Sequence, residues 1–484
     1  MTLRRTSALL LAATLAGCNA APVDSAPQIA VPAAYRATPA SAALAWPRDG
    51  WWRGFNSPDL NGLIDAARAD NFDLAAAVAR VRQADAQLAA AGAPLLPTVA
   101  AAGKDSWSRQ SIVRRVSAGS LATTAGYAES RTYSLTPSIS WELDFWGRVR
   151  AGRDAARASA LASRFDQQTV ALTVVTAVAS TWFQALAVQD RLDIARRNLG
   201  DAEQVLAAIR ARLGAGTASA LDVAQQETLV AGIRAQAPAL RNQLEQQINA
   251  LGVLVGRPPS AITVRPGTLT ALSLPETGAG VPSALLGRRP DVASAEAQLR
   301  AQNANIRAAR AAYFPQIALT GSAGWSSLAL PLLFGPSSLF ADAALTATQT
   351  IFDNGAKGAQ VALNQGRYDE LLAVYRKTVV QAFTDVENAV VSYRLTTEQE
   401  ALERQAVATA QRAADIARAQ VLAGTIDIVT ALQAQTALFN DLDLLAQVRL
   451  ARFQALLSLY KALGGGWSAA DIAAPETRLF QGVL

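Results

Sequence analysis

The chain states its plan twice. Residues 73–107 align with residues 291–325 without a gap, at an offset of 218 (315 − 97). Asp73 matches Asp291, Ala86 matches Ala304, Pro97 matches Pro315, Gly103 matches Gly321 and Trp107 matches Trp325. A second block follows at an offset of 208 (424 − 216), where Gly216-Thr217 matches Gly424-Thr425, Leu251 matches Leu459 and Gly256 matches Gly464. The first copy therefore carries ten extra residues (218 − 208) between its blocks. A repeat of this kind implies two equivalent units that bury their apolar faces against each other. Over 484 residues it favours two matching halves of one body over a string of unrelated domains.

The first residues read as an address. Arg4-Arg5 precede a short apolar stretch, Ala8 to Leu15, and then Leu15-Ala16-Gly17-Cys18. A positive start, a short apolar segment and small residues at a cleavage point mark a secretory signal. Leu-Ala-Gly-Cys also resembles the bacterial lipobox, and Cys18 is the one cysteine of the chain. That resemblance implies acylation of the Cys18 thiol, with palmitate-type chains. Asn19, rather than an aspartate, after the cysteine implies the outer membrane. Several acyl chains hold far more firmly than one, since each buried methylene contributes about 0.8 kcal/mol. A plain signal peptide with an incidental cysteine is the alternative. Beyond residue 18 this reading finds no apolar run near the ~20 residues of a spanning helix.

Residues 19–50 are rich in Pro, Ala and Ser and read as an extended tether. Leu60, Leu63 and Ile64 form the stripe of a first helix. Asn71 caps the next, which runs to Leu95 and stops at Pro97. Residues 131–145 then alternate, with Tyr133, Leu135, Pro137, Ile139, Trp141, Leu143 and Phe145 interleaved with hydroxyl and acidic residues. Such alternation predicts a strand with one apolar and one wet face. Its predicted partner is 98–109, with a loop over 110–130. In the second copy Ile317, Leu319 and Trp325 alternate with polar residues, and a looser strand covers 341–352.

A glycine turn follows each strand pair. Gly147 opens a helix to about Leu213, and Gly355 opens another to about Leu422. At 1.5 Å per residue each is on the order of 100 Å long. A further helix spans 219–255, where Pro238 predicts a local bend. Val379, Phe383, Val386, Val390 and Tyr393 recur at spacings of four and three, a coiled-coil seam or an ordinary bundle core. Helices this long suit projecting hairpins better than a compact core.

These features divide the chain into a lipoprotein signal peptide (1–17), a lipid-anchored tether (18–50), a first repeat (51–265), a linker with the second repeat (266–466) and a C-terminal tail (467–484). The fold class is mainly α with β, a duplicated unit of long helical hairpins and four strands. Four strands cannot close a membrane barrel, and an open sheet in lipid leaves its edges unsatisfied. The chain must pool strands with copies of itself, eight from two copies or twelve from three.

Four further segments stand out: Ser140-Trp141-Glu142-Leu143-Asp144-Phe145-Trp146-Gly147-Arg148, Asn249-Ala250-Leu251 with Gly256-Arg257-Pro258-Pro259, Leu285-Leu286-Gly287-Arg288-Arg289-Pro290-Asp291-Val292, and Ala311-Ala312-Tyr313-Phe314-Pro315. In these the sequence resembles the outer-membrane efflux lipoproteins of the TolC and OprM type, including the NodT-like outer-membrane factors of RND efflux. The resemblance implies a homotrimer with a twelve-stranded β-barrel in outer-membrane lipid on a periplasmic α-helical tunnel. It implies docking with a periplasmic membrane-fusion adaptor and an inner-membrane RND-type pump, and passive export of drugs or other small molecules. A duct for type I protein secretion and a non-channel periplasmic coiled-coil lipoprotein are the alternatives.

The resemblance also assigns roles to residues. The helical tips that meet the adaptor are Gly216, Thr217, Gly424 and Thr425. The outward strand face carries Tyr133, Leu135, Ile139, Trp141, Ile317, Leu319 and Trp325. Family members often narrow the entrance with acidic rings, and here the pattern departs. Positions six and nine past Gly424 are Thr430 and Gln433, while Asp427 lies in the turn and Asp222 follows the first tip. An Asp427 ring in a trimer attracts cations; the alternative is a helix-start residue at a positive dipole end. The chain has no histidine, so imidazole acid–base chemistry and His-ligated metal sites are absent. No enzyme activity, cofactor or metal is expected. The net charge of +6 comes from basic residues interleaved with acids on helices, which points to a solvated surface and to no nucleic acid.

Overall fold

The structure, a computed structural model, describes residues 31, 32, 34–36, 46–115, 123–275, 282–467 and 472. The predicted acylation site Cys18 lies outside them, as do the signal peptide and most of the C-terminal tail. Helices α1 (Pro58–Asp70) and α2 (Phe72–Gly92) lead to strands β1 (Thr98–Arg115) and β2 (Thr123–Glu142). Helices α3 (Arg148–Gly214) and α4 (Ala220–Val255) complete the first unit. The second unit repeats the order with α5 (Pro290–Ala311), β3 (Gln316–Ser327), β4 (Leu339–Thr348), α6 (Ala356–Ala423) and α7 (Ile428–Ala462). The two long helices have 67 and 68 residues, which at 1.5 Å rise is about 100 Å each.

Local chemistry explains the boundaries. Ser57 and Asn71 accept from the backbone of Leu60 and Leu74 and so cap α1 and α2. Asp144 accepts from Val149 and Arg150 amides at 3.0 and 2.9 Å, and Asp353 holds the Gly355 and Lys357 amides in the second copy. Each carboxylate thus fixes the first turn of a long helix, at the positive end of its dipole.

That capping corrects the strand boundaries. The expected 131–145 strand stops at Glu142, because Asp144 is committed to α3. Leu143 and Phe145 fall beyond it. The expected loop over 110–130 is mostly strand: β1 continues to Arg115 and β2 resumes at Thr123. Polar cross-strand pairs hold this part, including Ser108 with Ser130 and Arg109 with Glu129. The last strand runs 339–348 rather than 341–352.

The largest core gathers Trp51, Phe55, Leu60, Val178, Phe183, Leu251, Phe453 and Leu456 from both units. Phe55 meets Phe183 edge to face, with centroids 5.0 Å apart. This also corrects the reading that no spanning-length apolar run follows residue 18. By length and composition α3 is apolar enough to cross a membrane, but 56% of its apolar window is buried inside the protein. A second core holds Val379 and Val386 of the predicted seam against Leu285, Val292 and Leu459, with Phe383 and Val390 beside them. Tyr393 packs on the larger core instead. Tyr35 is buried in the second core, so this part of the expected tether lies against α5 and α6. Burial, then the Glu387 charge, pushes its phenol up to about 12.

Candidate functional site: a strand wall and two helical tips

The four strands form one antiparallel sheet in the order β1-β2-β3-β4, with β1 and β4 at open edges. Register decides which side chains share a face, since opposed residues point the same way. Leu135 lies opposite both Gly103 and Trp325, and Trp325 lies opposite Leu339. Trp141 pairs with Leu319, which pairs with Leu345. The structure therefore brings Tyr133, Leu135, Ile139, Trp141, Ile317, Leu319 and Trp325 onto a single face, with Val99 and Ala101 beside them. The opposite face carries Ser134, Thr136, Ser138 and Ser140 of β2, Thr320 and Ser322 of β3, and Thr346 and Thr348 of β4. Lys104, Glu142 and Asp342 are the charges among these hydroxyls, and the Ser322 hydroxyl donates to Asp342.

The four-strand zone has a defined height. Pairing of β2 with β3 runs from Glu142–Ala318 to Tyr133–Ser327. Ten residues at ~3.4 Å give roughly 34 Å of strand, which at a tilt of about 40° rises ~25 Å. That is the height of an outer-membrane apolar band. Chemistry changes at both limits. Outward, the Arg131 guanidinium donates to Asp105 at 2.6 Å and Arg109 lies over the Tyr127 ring. Inward, the Trp141 indole donates to the Leu95 carbonyl, and Arg148 pairs with Glu142 at 2.6 Å. The Trp146 ring stacks on Phe314 at 4.7 Å, joining the two units below the strands.

At the far ends of the helices the tips are built alike. Gly216 and Gly424 both take left-handed backbone, at φ 71° and 74°. In each the following threonine returns its amide, at 2.9 Å, and its hydroxyl to the carbonyl five residues back, Arg212 and Gln420. This is the glycine-terminated helix end that leaves few orphan carbonyls. Ser219 and Asp222 form a reciprocal capping box that starts α4. Asp427 starts α7, accepting from the Thr430 amide and hydroxyl at 2.9 and 2.8 Å. Those two bonds hold the exposed Asp427 carboxyl below its ordinary range. Gln433 lies one turn and more inside α7.

Several tip residues escaped the sequence reading. Arg212 reaches from the end of α3 to the Val421 carbonyl at 2.7 Å, a cation on the negative end of α6. Arg418 of α6 pairs with Asp201 of α3 at 2.9 Å. Val205, Ile209, Val421 and Ile428 close an apolar plug beneath them. None of these partners lies near in sequence; the C-terminal position of Arg212 was the available signal. Higher up, Glu400 is buried and accepts from Arg404, Arg449 and Arg452. Among the described residues no cluster of His, Cys, Asp and Glu has the form of a metal site.

Comparison with known proteins agrees with this geometry. The family model described as "Outer membrane efflux protein" matches residues 63–257 and again residues 281–465. The pyoverdine export outer membrane protein OpmQ of Pseudomonas aeruginosa is 38% identical over 470 residues, covering 97% of this chain and 98% of that protein. The antibiotic efflux pump outer membrane protein ArpC of Pseudomonas putida is 34% identical, covering 95% and 96%. The solved outer-membrane channel OprN superposes with a TM-score of 0.82 at 25% identity, over 92% of this chain and 99% of that one.

Proposed function

Since the chain belongs to the outer membrane efflux protein family, and so is an outer-membrane channel of an efflux system, we propose that it works as a homotrimeric exit duct. Three sheets join edge to edge into a twelve-stranded barrel whose apolar face meets outer-membrane lipid. The hydroxyl-rich face lines the lumen, and the helical hairpins continue it into the periplasm. Cys18, acylated, adds a second attachment to the membrane.

The observation that carries this reading is the sheet itself. Its outward face is apolar over about the height of an outer-membrane band, and its two edges have no partner within the described chain. Gly216, Thr217, Gly424 and Thr425 present the surfaces for a periplasmic adaptor, through which an inner-membrane RND-type pump delivers cargo. Small organic molecules suit the duct, as pyoverdine and antibiotic export are named for its relatives. The lumen wall of the barrel offers mostly hydroxyls, which select weakly. The role is positional and not enzymatic.

Three Asp427 carboxylates form the narrow ring at the tips, with Asp222, Thr430 and Gln433 around it. The Thr430 amide and hydroxyl bonds favour the ionised form of Asp427. Asp427→Asn keeps a capping side chain and removes the charge. In planar bilayers the variant is expected to lose cation preference with unchanged trimer yield. Unchanged preference removes the gate assignment and leaves Asp427 as a cap.

A further inference from the structure

We propose that the loop joining β3 to β4 lies on the outward face of the wall as a wedge among the acyl chains of the outer leaflet. This inference rests on reading that face as the lipid-facing one. The loop follows Ser327 and ends at Leu339, at the end of the sheet away from the helices. In the loop Leu328, Leu330, Leu332 and Phe334 are each more than half exposed, as is Leu339, which opens β4. So many large apolar side chains on one short loop mark a surface that meets something other than water.

Three observations favour lipid as the occupant. First, the Phe334 ring meets Trp325 edge to face, with centroids 5.6 Å apart. Trp325 sits opposite Leu135 and Leu339, so the loop folds back over the apolar face and continues it. Second, the sequence from Gln316 to Ala341 holds no charged residue, whereas the β1–β2 hairpin carries Arg109, Arg114, Arg115, Glu129 and Arg131. One hairpin is chemically fit for water and headgroups, the other for hydrocarbon. Third, the loop satisfies much of its own backbone. The Ala329 amide donates to the Ser327 hydroxyl, and those of Leu332, Leu333, Gly335 and Ser338 donate within successive tight turns. Pro331 and Pro336 have no amide hydrogen to satisfy, and the Ser338 hydroxyl covers the Leu332 carbonyl at 2.7 Å. Irregular backbone tolerates hydrocarbon only when its polar groups are paired internally.

Nitroxide labels test this on the full chain, reconstituted in phosphatidylethanolamine–phosphatidylglycerol vesicles. Single cysteines replace Leu330 or Leu332 in the loop, Leu345 on the outward face of β4, and Ser111 on the charged hairpin. The parent chain, with Cys18 as its one cysteine, supplies the blank. Collision with oxygen reports lipid, and collision with a soluble nickel chelate reports water. At 330 and 332 oxygen is expected to outweigh nickel several-fold, as at 345, with the reverse at 111. Nickel access at 330 and 332 like that at 111 puts the loop in water and overturns the proposal. Shielding from both reagents means the loop packs on a neighbouring copy, which also overturns it. Loss of the lipid signature at 345 itself takes down the barrel reading and this inference with it.

Discussion

Gly256 and Gly464 show how the duplication works at the scale of single residues. Each ends a helix with φ near 80°, at 76° and 84°. A Cβ on Gly256 would come 2.2 Å from the Asp70 carbonyl oxygen, and one on Gly464 2.0 Å from that of Arg288. The two carbonyls precede the equivalent helices α2 and α5. Alanine at either site adds a backbone clash to the ~1–2 kcal/mol cost of left-handed backbone. Thermal melting should show Gly256→Ala and Gly464→Ala well below Gly147→Ala, whose Cβ meets open space. Equal melting of all three contradicts the close packing. Glu400 offers a second test. Burial raises its pKa, but hydrogen bonds from Arg452, Arg449 and Arg404 outweigh that and hold it below the ordinary range. A depressed folded pKa gives stability that is full above the unfolded value near 4.3 and is lost as pH falls through the folded value. Glu400→Gln should therefore destabilise by roughly 3–5 kcal/mol at pH 7. The gap should narrow in denaturant titrations below about pH 4; a gap independent of pH contradicts the ionic account. The glycines were legible in sequence because the repeat aligned them. Glu400 was not, since its partners Arg449 and Arg452 lie 49 and 52 residues away.

Among the elements, the strands were readable wherever one face is apolar and the other polar. Alternation from Tyr133 to Trp141 and from Ile317 to Trp325 marked them, and register then placed the two sets together. Strand ends were not readable. Beyond Tyr133 the β1–β2 hairpin is held by ion pairs and hydroxyls, so the period-two signal vanishes while the ladder continues to Arg115–Thr123. The Asp144 cap likewise shortens β2 through a role in the next element. The apolar stretch of α3 was passed over in sequence, and the cover that buries much of it comes from α1, α4 and α7 rather than from neighbours in sequence. At the tips, Arg212 ties the two hairpins through the Val421 carbonyl. Arg212→Ala should broaden the distance distribution between spin labels at Ala215 and Ala423, measured by pulsed electron resonance. An unchanged distribution assigns the tie to the apolar plug of Val205, Ile209, Val421 and Ile428 alone.

For the whole molecule, the repeated sequence blocks correspond to repeated elements, each supplying two strands and one long helical hairpin. Neither unit, nor the two together, closes the sheet. The central claim is that the β1 edge of one chain pairs with the β4 edge of the next. Within one chain β2 and β3 stand between those edges, so a bond linking them joins different chains. The direct measurement is disulfide formation in membranes, with one cysteine at Val99, Ala101 or Gly103 and another at Ala341, Ala343 or Leu345. All six positions are on the outward face, and together they sample the possible registers. The account predicts covalently linked dimers and trimers on a denaturing gel for at least one combination, with Cys18 alone giving none. Monomers from every combination would contradict it.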